Sequence, residues 1–186
     1  MRRLIRDGEL GQIVQAFIDI SCPVADYSPR QWRNRPEISG GGYFVDLGSH
    51  RLDAMTFLLG NTDVVAGVAT TFDADCSVEQ AVSMSIRFQS GAQCTATGDY
   101  YSGKIADRFD IIGTRASIRS DRLDGHAFAK ERGGDSTPCV FEPFPAPHLG
   151  LIRHIESVLL DGQTNESSGI DALITERMLD VAVRKR

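Results

Sequence analysis

The sequence lacks three features that would each point to a broad class of protein. An excess of basic residues is absent, since the formal net charge is −5, so a nucleic-acid-binding surface is not expected. No apolar run approaches the ~20 residues that a membrane-spanning helix requires. The N-terminal MRRLIRDGELGQ is basic but has no apolar signal-peptide core. We therefore expect a cytoplasmic protein.

The cysteines form no recognisable framework. They lie far apart in the chain, with neither a CxxC pair nor the spacing of metal ligands. The four are Cys22, Cys76, Cys94 and Cys139. We expect reduced, structural thiols, and no metal site.

The length of 186 residues, with 41% hydrophobic and 24% charged residues, is sufficient for one globular domain with a real core. The chain begins with a helical pattern at 1–6 that Asp7-Gly8 ends. A helix that short is not stable by itself, because its first turn is costly to form. We expect a single domain over residues 1–186, in which 1–10 is the remnant of a preceding helix.

Alternating apolar and polar residues predict strands through the middle of the chain. In 80–89 the apolar residues share one face: Val82, Met84, Ile86 and Phe88. Ser90-Gly91 then predicts a hairpin turn. Strands are predicted at 11–20, 63–73, 80–89, 92–100, 108–112, 116–119, 127–130 and 137–141. Helices are predicted at 45–59, 148–160 and 170–184.

Sequential hairpins flanked by helices imply an α+β fold with one face of the sheet covered. The other face carries small and polar side chains and few charges. Its members include Ser83, Ser85, Arg87, Thr95 and Thr97. Such a face is typical both of contact with a second copy and of a solvated antiparallel sheet. Composition leaves both interpretations open.

Three glycines, Gly40–Gly42, precede a helix that places titratable side chains on one side. At about 100° per residue, Asp46, His50 and Asp53 lie within roughly a sixth of the helix circumference. Apolar residues cover the other faces, so the helix is expected to be largely buried. A buried polar stripe needs partners, because unpaired desolvated charge is expensive.

Two interpretations of this stripe are open. As a functional site, His50 exchanges protons near neutral pH, Asp46 tunes it or binds a hydroxyl, and the glycines admit a ligand close to the backbone. As plain structure, Asp46 is a helix N-cap, the glycines form a turn, and Asp53 pairs with Arg51 or another arginine. A metal site is not expected, because no third ligand is in register.

The segment 32–53 contains W-R followed by GGG-x-x-x-D-x-G-x-H-x-x-D. It resembles the C-terminal domain of the glucose–fructose oxidoreductase / inositol dehydrogenase (Gfo/Idh/MocA) family, whose members are similar in having this glycine–Asp–His motif. The likeness extends over nearly the whole chain. It includes the connection from a helix to the first strand of the sheet at 5–14, and the strand and turn at 109–114.

The resemblance implies an open, mainly antiparallel sheet with helices on one face and the other face available for a homodimer or tetramer. It also implies an NAD(P)-dependent dehydrogenase of a sugar, polyol or related alcohol. In such an enzyme Asp46 and His50 are catalytic, beside a lysine of a Glu-Lys-Pro motif. Candidate substrate-binding residues are Gly41, Gly42, Arg33, Tyr100 and His148. Structural roles stay open for the last three, as a local salt bridge, a half-buried sheet residue and a surface or capping group.

The chain departs from the family pattern in two respects: it contains no strand–GxGxxG–helix, and no lysine is followed by proline. We therefore expect NAD or NADP in the complete enzyme but none bound by this chain alone. A missing nucleotide-binding domain is the expected partner, and this chain then supplies the Asp/His part of the active site. The alternative is a stand-alone dimerisation or ligand-binding module without catalytic activity.

Overall fold

The fold is an open sheet with helices packed on one face. The structure, a computed structural model, describes residues 1–28, 30–122, 127–142, 144–146 and 148–184. The strands are β1 (Ile13–Ser21), β2 (Thr62–Thr70), β3 (Ala81–Phe88), β4 (Gln93–Asp99), β5 (Ala106–Gly113), β6 (Ser117–Ser120), β7 (Ala127–Arg132) and β8 (Asp135–Val140). The helices are α1 (Arg2–Arg6), α2 (Pro36–Ser39), α3 (Ser49–Leu59), α4 (Leu149–Asp161) and α5 (Gly169–Leu179). A 3-10 turn covers Trp32–Asn34, and π-helical turns cover Phe44–Gly48 and Asp180–Arg184.

The sheet has eight strands within the described residues, in the order β2-β3-β4-β1-β5-β6-β7-β8. Strand β1 pairs in parallel with β4 and antiparallel with β5. The other neighbouring strands pair antiparallel. The predicted α+β class with an open, mainly antiparallel sheet is therefore confirmed.

The alternation of apolar and polar residues in β3 places the two kinds of side chain on opposite faces of the sheet, as predicted. Its four apolar side chains are 1–3% exposed and face the helices: Val82, Met84, Ile86 and Phe88. Ser83, Ser85 and Arg87 are exposed on the opposite face. Residues paired across antiparallel strands share a face, so Val64 and Val68 of β2, opposite Arg87 and Ser83, lie on this open face as well.

The core lies between the sheet and the helices α3 and α5. Leu52 and Met55 of α3 and Met178 and Leu179 of α5 are at most 1% exposed. They pack against the inward side chains of the central strands, among them Ala16, Ile18, Met84, Ile86, Ala96, Phe109 and Ile111. The predicted burial of α3 is correct only for this side, because a helix lying on a sheet buries one stripe. His50 is exposed.

Helix α4 differs from α3 and α5, because none of its residues is buried. Five of its apolar side chains are 47–75% exposed: Leu151, Ile152, Ile155, Leu159 and Leu160. Within the described part of the chain, no helix has the length and apolar character needed to cross a membrane.

Two helices contain turns that the 3.6-residue spacing did not predict. The predicted helix 45–59 begins with the π-helical turn Phe44–Gly48, and 170–184 ends with another at Asp180–Arg184. Such turns are rare and concentrate at functional sites. Gly60, with φ 87°, ends α3 where the sequence predicted it.

Candidate active site

The three glycines are explained by close packing. Gly40 takes a left-handed conformation, φ 74°, and ends α2. Gly42 is buried, and a Cβ there would lie 2.9 Å from Val78 Cβ and 3.0 Å from the Glu79 carbonyl oxygen. A side chain would push away the loop that precedes β3. The glycines therefore admit a neighbouring segment of the same chain.

Glu79 uses this close approach to hold the start of the helical segment. Its side chain is 1% exposed, and its carboxylate accepts hydrogen bonds from the backbone N–H of Gly42 (2.7 Å), Phe44 (3.1 Å) and Val45 (3.2 Å). Sequence reasoning missed Glu79. No local pattern identifies it, because its partners lie more than thirty residues earlier in the chain.

Phe44 holds the same segment from the core side. Its ring is fully buried between two glycines, Gly48 of the π-helical turn and Gly98 of β4. A Cβ at Gly48 would lie 2.8 Å from the ring, and one at Gly98 would lie 2.5 Å from it. The glycine between Asp46 and His50 in the motif is thus a packing requirement of Phe44.

Asp46 is paired with Arg33. The Nε–H of Arg33 donates to Asp46 Oδ2 at 2.6 Å, and both side chains are about a third exposed or less. The guanidinium lies 4.5 Å from the ring centroid of Trp32 and 5.7 Å from that of Tyr43. Asp46 makes no side-chain cap. The N-cap interpretation of Asp46 is therefore wrong, and Glu79 performs that role.

His50 stands at the first turn of α3, one turn after Asp46. Its side chain is exposed and makes no hydrogen bond or ion pair within the described residues. The neighbouring Arg51 forms a bidentate pair with Asp107 of β5, at 2.8 and 2.9 Å. The suggested pairing of Asp53 with Arg51 is therefore wrong, and Arg51 instead ties α3 to the sheet.

Tyr100 lies beneath these residues and is fully buried. Its ring centroid is 5.9 Å from that of Tyr43, and its carbonyl accepts from the hydroxyl of Tyr27 at 2.6 Å. Its own hydroxyl has no partner within the described residues. Burial raises the pKa of the Tyr100 phenol above its ordinary value, and the charges of Glu79, Arg51 and Asp46 act on it more weakly. Tyr100 thus supports the site from the core side.

The predicted site residues divide into two groups. Arg33, Asp46 and His50 gather around the start of α3, with Gly41 and Gly42 buried just before it. His148 is exposed at the N-terminus of α4, with φ 63°, and makes no hydrogen bond to that group within the described residues. In the same part of the chain, no group of three or more His, Cys, Asp or Glu side chains is arranged to hold a metal ion.

Comparison with known families identifies the first part of the chain. Residues 1–119 match the model of the GFO/IDH/MocA C-terminal domain. The chain is 32% identical to 1,5-anhydro-D-fructose reductase of Ensifer adhaerens over 123 residues, which are 63% of this chain and 36% of that protein. It is 26% identical to inositol 2-dehydrogenase of Rhizobium meliloti over 198 aligned positions, covering 99% of this chain and 57% of that protein. The chain thus spans between about a third and three fifths of the length of these relatives.

Solved structures share the fold. Aldose-aldose oxidoreductase from Caulobacter crescentus, complexed with glycerol, superposes with a TM-score of 0.80 at 26% identity, over 98% of this chain and 57% of that one. Levoglucosan dehydrogenase in complex with NADH and levoglucosan gives a TM-score of 0.81 at 21% identity, over 97% and 59%. The second likeness concerns the fold alone.

Proposed function

Because this chain belongs to the GFO/IDH/MocA family through its C-terminal domain, we propose that it is the substrate-binding and oligomerisation domain of an NAD(P)-dependent sugar or polyol dehydrogenase. One observation carries the proposal. The segment that leads into α3 is held by Glu79 and Phe44, yet the first turn of α3 presents His50 to solvent without a partner within the described residues. Rigid support for an exposed, titratable side chain is typical of a catalytic group.

Oxidation of an alcohol removes a hydride from carbon and a proton from the hydroxyl. A nicotinamide cofactor supplies the hydride acceptor in this chemistry. We assign the hydroxyl proton to His50, because imidazole accepts and returns protons near neutral pH. The family resemblance implies that a lysine from the cofactor domain lies beside it.

Asp46 orients the substrate in this proposal. Arg33 occupies Oδ2, which leaves Oδ1 without a partner within the described residues. A carboxylate oxygen of this kind accepts a hydrogen bond from a sugar hydroxyl. Trp32, 44% exposed beside Arg33, offers an apolar face to the ring of the sugar.

The cofactor would be held by another segment. This chain has no strand–GxGxxG–helix to receive the pyrophosphate, and Gly40–Gly42 lack that spacing. The exposed apolar side of α4 supports a covering domain, because soluble proteins rarely leave a helix side so exposed. We assign that side to the nucleotide-binding domain.

Oligomerisation would use the open face of the sheet. Val64 and Val68, 46% and 66% exposed, add apolar area to the polar residues Ser83, Ser85 and Thr95. The charges on this face are paired, as Arg87 is with Asp63 and Arg108 with Asp110. A flat face of mixed character whose charges are paired suits contact with an identical face about a two-fold axis.

The test is to fuse the cofactor domain of a family member ahead of Met1 and to assay NAD- and NADP-dependent oxidation of anhydrosugars, inositols and aldoses. His50→Ala should lower turnover by about two to four powers of ten, the contribution of a positioned acid–base group. Its melting temperature should stay close to that of the unchanged fusion, because the His50 side chain is exposed and has no partner among the residues that the structure describes. The control is His154→Ala, which removes a histidine that lies on α4 and not on α3. The 186-residue chain alone should neither bind cofactor nor turn over.

Three results would count against the proposal. Micromolar NAD or NADP binding by the chain alone would place the cofactor site inside it. A His50→Ala fusion that keeps turnover within a few-fold but melts much earlier would make His50 structural. A well-folded fusion that oxidises no substrate would favour the stand-alone module.

A further inference from the structure

The buried carboxylate of Glu79 has no positively charged partner within the described residues. It is 1% exposed, and it accepts hydrogen bonds from the three backbone N–H groups at 42, 44 and 45. These amides belong to the first turn of the helical segment, where N–H groups lack acceptors and the helix dipole is positive. The negative charge is thus balanced by the backbone that leads to Asp46.

The three hydrogen bonds differ from an ordinary N-cap in their origin. A usual capping side chain lies directly before its helix, as Ser168 does for α5. Glu79 lies in the loop before β3, so its carboxylate sets the position of the segment relative to the sheet. The two carboxylate oxygens have different donors: Oε2 accepts from Gly42, and Oε1 accepts from both Phe44 and Val45.

The segment that Glu79 holds leads directly into the π-helical turn Phe44–Gly48, which contains Asp46. The following turn contains His50. A π-helical turn has no intrinsic preference over an α-helical one, and therefore needs outside contacts to persist. Glu79 from the loop side and the Phe44 ring from the core side supply such contacts.

We propose that Glu79 is a positioning residue for the Asp46–His50 segment, acting through the backbone amides of residues 42–45. The inference rests on the proposed dehydrogenase function and adds to it a residue that touches neither substrate nor cofactor. Displacing a reacting group by about 1 Å is enough to slow an enzyme ~100-fold.

Glu79→Gln tests this inference with little change of shape. The glutamine amide offers one acceptor and one NH₂ donor, so it must turn a donor toward Gly42 or toward Phe44 and Val45. In the fusion enzyme we expect kcat to fall about 10- to 100-fold, with a smaller rise in KM. Combined with His50→Ala, the same change should slow turnover much less than it does alone, because it acts through a group already removed.

Asp171→Asn is the matched control. Asp171 also accepts from a backbone N–H at a helix start, that of Ser168, but its helix carries no site residue. It should lower the melting temperature without changing kcat. Equal kcat in the Glu79→Gln and unchanged fusions, where His50→Ala does slow turnover, would overturn the inference.

A second measurement does not depend on activity. In the 186-residue chain, Glu79→Gln should speed amide hydrogen exchange at 42–50 while leaving α5 protected. Unchanged exchange over 42–50 would overturn the inference. If even the unchanged fusion is inactive, the proposed function fails, and the exchange rates still decide whether Glu79 holds the segment.

Discussion

At the scale of single residues, the ion pair between Asp46 and Arg33 orients the Asp46 carboxylate more than it stabilises the fold. Partly exposed ion pairs stabilise a fold by about 1 kcal/mol or less. The guanidinium, however, is also held by the rings of Trp32 and Tyr43. Its plane is therefore set by the two rings as well as by the carboxylate, and the other Asp46 oxygen, which has no partner among the described residues, has a defined direction.

Arg33→Lys should lower kcat/KM of the fusion enzyme about tenfold, because an ammonium keeps the charge but loses the planar contacts that direct Asp46. The melting temperature should change little, as expected for a partly exposed pair. Arg2→Lys is the control, since Arg2 also pairs with a carboxylate, Glu166, and lies over an aromatic ring, that of Phe57. A kcat/KM that is unchanged in Arg33→Lys would assign the pair to stability alone.

How far the sequence predicts these residues depends on their distance along the chain. Asp46 and His50 are placed on neighbouring turns by spacing alone, and the structure keeps them there. Glu79 and the complete burial of Tyr100 depend on contacts between distant segments, through Gly42 and the ring of Tyr43. Residue spacing contains no information about such contacts.

At the scale of elements, the strands and helices were largely predictable because alternation and helical spacing report burial directly. Strand β3 and the end of α3 at Gly60 are examples. The π-helical turn at Phe44–Gly48 was not predictable, because it depends on the fit of one aromatic ring. Gly48 and Gly98 leave the space that this ring fills.

Gly98→Ala should therefore destabilise the chain by about 1–3 kcal/mol, the cost of overpacking a core. The new Cβ would lie 2.5 Å from the Phe44 ring, and β4 cannot move without its neighbours. Urea unfolding measures the loss, and Phe44→Leu in the same chain should recover part of it. Gly103→Ala, where a Cβ meets no atom within 4 Å, is the neutral control. Equal unfolding midpoints for the two alanine variants would contradict the packing explanation.

At the scale of the whole molecule, the open sheet face is the surface that composition left undecided. The apolar Val64 and Val68 beside the polar residues strengthen the proposal of contact between copies. Thr95 is exposed on this face, flanked across the strands by Ser85 and Phe17.

Light scattering should find the chain as a dimer, or a dimer of dimers, at micromolar concentration. Thr95→Arg should shift it to monomer, because two copies would bring like charges together at a two-fold interface. Thr164→Arg, in the exposed connection between α4 and α5, should leave the assembly unchanged. A monomer at high micromolar concentration would overturn the proposal.

The central position of β1 has a consequence for synthesis on the ribosome. This strand pairs with β4 and β5, whose residues follow about 80 or more positions later in the chain, so at ~5–20 residues per second β1 waits about 4–16 s for a partner. Throughout that interval Ile18 and Ile20, nearly fully buried in the finished fold, remain open to water and to other nascent chains. The interval between the synthesis of β1 and that of β4 and β5 is therefore when this domain most needs protection by a chaperone.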